Sequence, residues 1–180
     1  MDDHIIDCCS LINLYTGWGG LAELRDLRRI WHVGEAVLKE TEYTREYGPD
    51  GVPVLIPLNM KDLTQFGLLL PEHPETESEI DDYVNFACEV DDGEAQALAI
   101  AMHRGFVLLT DDRKAAKIAQ RPDVGVRITS TPKILQEWAQ LDVKNEARLL
   151  EVIGRISALA KFRPHVESTD YEWWRRYSQD

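Results

Sequence analysis

The chain has 180 residues, 44% of them hydrophobic, and a formal net charge of −12. That length suits one domain with a full core, the apolar content excludes wholesale disorder, and no apolar run nears the roughly 20 residues of a membrane span. The acidic balance excludes the overall basic footprint of a nucleic-acid binder, so any cationic surface is local: Arg25, Arg28 and Arg29, or Arg113, Lys114, Lys117 and Arg121, each reading equally well as a solvated helix face.

Residues 4–9, with Ile5 and Ile6, form an apolar run of strand length behind an acidic start, a pattern unlike a signal peptide. Ser10 reads as the N-cap of a helix over 11–15, broken by Gly17, Gly19 and Gly20. Leu21, Leu24 and Leu27 predict a helix over 21–30. A short strand over 31–37 and a helix over 37–47 follow. Residues 48–51 (GPDG) are a loop, and 52–58, apolar but interrupted by Pro53 and Pro57, is an edge strand or an extended insertion. Helices are predicted over 61–70 and 78–88, with a Pro- and Glu-rich surface loop at 71–77 between them. The clearest helix is 93–104, capped by Asp91 or Asp92, with Ala95, Leu98, Ala99 and Met102 on one face and Gly105 ending it. Strand 106–110, helix 112–120, strand 124–129, helix 132–141 with Pro132 in its first turn, and helix 144–161 complete the periodic part. The tail, with Trp173, Trp174, Arg175 and Arg176, has no clear period, and its composition marks it as a partner or dimer contact. Trp31, Trp138 and the tail tryptophans are otherwise core or interface anchors in preference to base-stacking platforms.

Strands alternating with helices indicate an α/β fold, three layers (α/β/α) around a mainly parallel central sheet, with a C-terminal helical extension. No linker divides the chain, so 1–143 forms the main domain and 144–180 an extension packed on it. Cys8 and Cys9 are adjacent, Cys88 is alone, and none has zinc-ligand spacing, which indicates a reducing, cytoplasmic setting.

Four acidic segments carry the chemistry. Asp7 and the Asp111–Asp112 pair each follow a strand-like run and precede a helical one, placing them at carboxyl ends of parallel strands, where such sheets bind ligands. Glu40 and Glu94 lie in predicted helices. Carboxylates gathered at one edge repel unless a positive charge sits among them, and a hard divalent cation, Mg²⁺ or Mn²⁺, answers that need. Each acid also has a plainer use: Asp7 and Asp111 or Asp112 as helix caps, Glu94 at the positive end of its helix, Glu40 on a solvated face. The histidines stand in unrelated contexts, so no Ser–His–Asp or Cys–His set competes, and GWGG at 17–20 lacks the lysine and setting of a phosphate loop.

These segments (IIDCCSLINLY, VLKE, GEAQALAIA and LLTDDRKAAKIA) together resemble the PIN domain, the nuclease fold of VapC-like toxin–antitoxin ribonucleases and related RNA-processing enzymes, over roughly residues 4–130. The resemblance implies a metal-dependent endoribonuclease acting on single-stranded or structured RNA, with Asp7, Glu40, Glu94 and Asp112 as catalytic metal ligands. Asp111 is an extra neighbour not separable from Asp112 by sequence. Ser10 and Thr110 would orient ligands or bound water, and Arg113 would either grip a phosphate or pair with a carboxylate. Glu35 would face solvent. A cognate antitoxin and a homodimer are implied as partners, and no membrane. The alternative is a catalytically inactive PIN-like binding module, for which the acidic balance speaks. A phosphotransfer domain fits poorly, since Asp7 is followed by Cys8 and Cys9 where a second acid is needed.

Overall fold

Parallel strands covered on both faces read as short, wholly apolar runs, and DHII, IWHVG and VLL are of this kind. The computed structural model describes residues 2–178. Met1, at the head of the expected 1–143 segment, and Gln179 and Asp180, at the end of 144–180, lie outside the described residues. In chain order the strands are β1 (Asp3–Ile6), β2 (Ile30–Gly34), β3 (Tyr43–Tyr47), β4 (Pro53–Pro57), β5 (Leu70–Glu72), β6 (Val107–Leu109) and β7 (Ile128–Thr129). The helices are α1 (Cys8–Trp18), α2 (Glu35–Glu40), α3 (Met60–Gln65), α4 (Glu77–Ala87), α5 (Asp92–Arg104), α6 (Arg113–Ala119), α7 (Thr131–Leu141), α8 (Val143–Arg155) and α9 (Tyr171–Arg175).

Five strands form one parallel sheet in the order β5-β2-β1-β6-β7. The period of two sorts side chains between two cores. Ile6, Val33 and Leu109 face a layer built from α1, α7 and α8, together with Trp18, Trp138 and Trp174. Ile5 and Leu108 face the opposite layer, with Phe86, the alanines of α5, and Ala115 and Ile118 of α6. This is the three-layer α/β/α arrangement expected from the sequence.

Several local expectations are corrected. Ser10 lies inside α1, and the cap is Asp7. Gly17 does not break α1; it sits against α8, where a Cβ would stand 2.8 Å from Ile156, and the helix ends at left-handed Gly19. The expected helix over 21–30 shrinks to a 3₁₀ turn, Ala22–Arg25, because Arg28 takes a left-handed φ of 51° and the Trp31 indole donates back to Leu24 O at 3.2 Å. The helix expected over 37–47 ends at Glu40, and Tyr43–Tyr47 pairs antiparallel with Pro53–Pro57 as a separate hairpin. Its prolines stand at the two ends of β4, where a missing N–H is tolerated. The predicted loop 71–77 begins as β5, and the helix predicted over 61–70 stops at Gln65. The helix after residue 144 widens into a π turn, Ile156–Ala160, and stops at left-handed Lys161. The tail is not simply a partner contact: Trp174 is buried and Phe162 meets its ring edge-on at 5.4 Å.

The α4–α5 pair shows how polar groups are held inside this shell. Thr76 and Glu79 form a capping box, and Glu79 also accepts Nε of Arg104 at 2.7 Å, while Arg104 Nη1 reaches Glu72 at 2.5 Å. The guanidinium holds the Glu79 carboxyl down, from the ordinary 4.5 to about 2. A depressed carboxyl pKa stabilises the fold above the unfolded value, and that contribution is lost as pH falls through the folded one. Glu79→Gln is expected to lower stability at neutral pH by on the order of 2–3 kcal/mol. It should also flatten the acid limb of a pH-dependent urea denaturation series between about 4.5 and 2.

Candidate metal centre at the carboxyl edge of the sheet

Ile6, the last residue of β1, lies level with Val33 of β2 and Leu109 of β6. Asp7 still gives its N–H to Leu109 O at 3.1 Å before the chain turns into α1. Its Oδ1 accepts the Ser10 N–H at 2.7 Å. Its Oδ2 is buried with no hydrogen-bond partner among the described residues, and so is Ser10 Oγ. A buried carboxylate oxygen left bare is rare in a folded protein and calls for a reason. Burial pushes the Asp7 carboxyl from the ordinary 3.8 up to about 7. The Thr110 and Ser10 hydroxyls and the Ser10 amide draw it partly back, and the charge of Asp111 pushes it further up.

The two aspartates after β6 do different work. Asp111 accepts Asn13 Nδ2 of α1 at 2.8 Å, the Thr131 N–H of α7 at 2.9 Å, and the Thr131 hydroxyl. Both of its oxygens are engaged, so it locks α1 and α7 to the strand end. Asp112 is the N-cap of α6, its Oδ1 taking Lys114 N at 2.8 Å and Ala115 N at 2.7 Å. Thr110 Oγ1 accepts the Asp112 N–H at 3.1 Å, which fixes this turn.

Glu94 is buried in the first turn of α5, and burial raises its carboxyl pKa, with Asp91, Asp112 and Glu40 pushing the same way. Glu40, exposed at the end of α2, is raised by the same causes, partial burial first and then Asp92 and Asp91. Its Oε2 lies against Gly93, where a Cβ would come within 3.0 Å, so the missing side chain admits the carboxylate to the start of α5. Gln96 of α5 fixes α2 from the other side. Its Oε1 accepts the Ala36 N–H at 2.9 Å, a cap that Gly34 cannot supply, and Gly34 leaves the room: a Cβ there would be 2.4 Å from that oxygen.

Asp112 and Glu40 thus act on Glu94, Asp111 acts on Asp7, and Cys8 and Cys9 feel the charge of both Asp7 and Glu94. Among the described residues, no three His, Cys, Asp or Glu side chains stand at the spacing of a finished coordination shell. The donor chemistry nevertheless suits a hard divalent cation: oxygen donors only, a bare buried Oδ2, and carboxyl pKa values raised by burial first and by like charge second. A family model described as a PIN domain matches residues 3–158. The chain belongs to the PIN-domain family. PIN domains are a nuclease-type family that acts on nucleic acid and typically uses divalent metals, so the acidic edge of this PIN domain is its candidate active site. No curated protein matches the chain significantly.

Neighbouring groups narrow the chemistry. Burial and the nearby acids push Cys9 up to about 12 and raise Cys8, so both stay thiols and neither is a nucleophile at neutral pH. Arg113, exposed at the start of α6, forms no ion pair among the described residues, and it lines a cleft of about 540 Å³ with Thr110, Asp111 and Asp112. Glu35 faces solvent beside Lys39, as expected. Sequence reasoning missed Asn13 and Thr131, which hold Asp111, and Gln96, which holds α2. It took Asp91 and Asp92 only as caps. The run DDGE was the one available signal for these extra acids; the others lie 20 to 98 residues from their partners.

Two outcomes follow. A carboxyl pKa raised by folding leaves the fold unpenalised below the unfolded value, and stability falls as pH rises from about 3.8 toward about 7. Asn can accept the same Ser10 N–H, so Asp7→Asn in EDTA should melt higher than the parent at pH above 7 and lack that decline, as thermal melts across pH will show. Gln96→Ala should cost about 1 kcal/mol in urea denaturation by uncapping α2.

Proposed function

We propose that this PIN domain is a metal-dependent endoribonuclease that hydrolyses RNA phosphodiester bonds with Mg²⁺ or Mn²⁺ held by Asp7, Glu40, Glu94 and Asp112. The observation that carries this reading is the bare, fully buried Oδ2 of Asp7 facing like charges. The bound ion would supply a hydroxide at neutral pH and charge for the pentacovalent phosphate. Asp7 and Glu94, both buried, form the rigid part of the donor set, and Glu40 and Asp112 complete it from the ends of α2 and β6. The Ser10 and Thr110 hydroxyls orient these carboxylates. Asp111, although near enough to act on Asp7, serves as a lock, because both of its oxygens accept protein hydrogen bonds. Arg113 stands beside Asp112 to meet a substrate phosphate.

In this reading the protein is the toxin of a toxin–antitoxin pair, active as a homodimer in the cytoplasm. The free Cys8, Cys9 and Cys88 accord with a reducing compartment. Apolar side chains exposed on the β3–β4 hairpin, Leu55 foremost at 67%, offer a surface to a protein partner. Among the described residues no helix is long and apolar enough to cross a membrane.

Calorimetric titration with Mn²⁺ tests the proposal. The parent chain should bind, Asp7→Asn and Glu94→Gln should not, and Ser10→Ala should bind some 10–100-fold more weakly. RNA cleavage should fall in the same order. A parent chain that binds no Mn²⁺, alone or with RNA present, would make the protein an inactive PIN-like binding module instead.

A further inference from the structure

The cleft of about 540 Å³ that begins at Asp112 and Arg113 runs from the acidic edge to the C-terminal extension, where Phe162 and Pro164 line its far wall. Its near wall includes Ala116 of α6, Ile128 of β7 and Pro132 of α7. Both walls thus carry apolar side chains, and the volume is that of a site for a small organic molecule. Phe162 is held by Trp174, whose ring it meets edge-on at 5.4 Å. Packing therefore sets the cleft before any ligand arrives.

Charge is arranged differently along the cleft and at its mouth. Lys133 pairs with Asp170 at 2.8 Å, His165 lies 3.6 Å from the Glu167 carboxylate, and Arg163 has a partner as well. Asp111 is locked by Asn13 and Thr131. Arg113 forms no ion pair among the described residues, and it stands beside Asp112 where the cleft meets the acidic edge. A ligand group inside the cleft meets apolar walls and charges that are already paired. A group held at the mouth meets the Arg113 guanidinium.

The sheet adds hydrogen-bonding atoms. Strand β7 is the outermost on its side. Arg127 O accepts the Leu108 N–H at 2.9 Å, and Thr129 O accepts the Thr110 N–H at 3.1 Å. In a parallel ladder the residue between those two turns its own N–H and C=O the other way. Ile128, which lines the cleft, therefore offers one donor and one acceptor at the open edge of the sheet. The rim of a nucleobase carries a complementary pair, such as the N7 acceptor and N6 donor of adenine. Its flat faces suit apolar and aromatic walls.

We propose that this cleft seats the base of the nucleotide next to the scissile phosphate, with the Ile128 main chain on the base rim and Arg113 on the phosphate. The proposal rests on the nuclease reading of the acidic edge and names what its substrate must present, an unpaired base. A base stacked in a duplex cannot enter such a cleft, whereas one in a single strand or loop can be splayed into it. Contacts to the base, unlike those to phosphates, carry sequence information.

Nuclear magnetic resonance on the ¹⁵N-labelled full chain in EDTA tests this. The probes are adenosine, cytidine, guanosine and uridine 5′-monophosphates, with ribose 5-phosphate for comparison. At least one nucleotide should shift the amide signals of Ile128 and Ala116 and bind on the order of tenfold more tightly than ribose 5-phosphate, which has no base to stack. Ala116→Leu, outside the acidic set, fills the cleft from α6 and should erase that difference. If a thermal melt shows that variant to be unfolded, the shift map of the parent still decides. Equal binding of nucleotides and ribose 5-phosphate would reduce the cleft to a phosphate site and overturn the proposal. Shifts confined to residues outside the cleft, or no shift with any nucleotide, overturn it too, and the Mn²⁺ titration stands apart from both results. Base-dependent binding in a chain that takes no Mn²⁺ supports the base site and overturns the nuclease reading alone.

Discussion

The Asp7 carboxylate is the constraint around which the rest of the site is arranged. It sits one residue beyond the end of a central strand, with one oxygen spent on the helix it starts and the other dry and unbonded. That oxygen is buried and makes no hydrogen bond, and the nearby Asp111 adds negative charge to the carboxylate. Folding therefore works against this group in its ionised form, and the cost is offset elsewhere, by two apolar cores that clamp the sheet from both faces. Such an arrangement makes sense where the missing partner is a cation.

Bringing further acids to that point required unusual closeness between backbones. Helix α5 is buried on nearly every side from Gly93 to Ala101, and its alternating alanines let the sheet, α2 and α4 approach it together. Two glycines do the remaining work. Gly93 makes space for the Glu40 carboxylate, and Gly34 makes space for the Gln96 amide that caps α2. The short helix bearing Glu40 is thus positioned by the helix bearing Glu94, so the two acids are set by one packing contact. Asp111 plays the matching role on the other side of Asp7, tying α1 and α7 to the end of β6 through Asn13 and Thr131.

Charge is divided in the same economical way. The acids face the carboxyl edge, while many arginines are drawn into structural pairs such as Arg104 with Glu79 and Arg121 with Glu89. Near the site, Arg113 at the start of α6 is exposed and forms no ion pair among the described residues. An overall acidic chain and a polyanionic substrate are compatible when the attraction is confined to a strip within a Debye length of the site.

Much of this was legible in the sequence. Ile5, Ile6, Leu108 and Leu109 announce buried parallel strands, Gly105 and Pro132 mark helix ends, and the acids next to these runs had to fall at the edge where strands give way to helices. Period and punctuation act within a few residues, and within that range the chain is explicit. It was silent where a distant segment decides. YTREY reads as the end of a helix until PVLIP pairs with it. The leucines at 21, 24 and 27 promise a helix that the indole of Trp31 and the left-handed Arg28 do not permit. Which aspartate after β6 is locked and which is turned to a cap depends on Asn13 and Thr131, one far back in the chain and the other on the next helix. Sequence alone determined the layers of this protein and the kinds of group at its edge, because those follow from local periodicity. Tertiary structure alone decided which carboxylate oxygen stays bare, because only packing removes water from one oxygen and leaves it without a hydrogen bond.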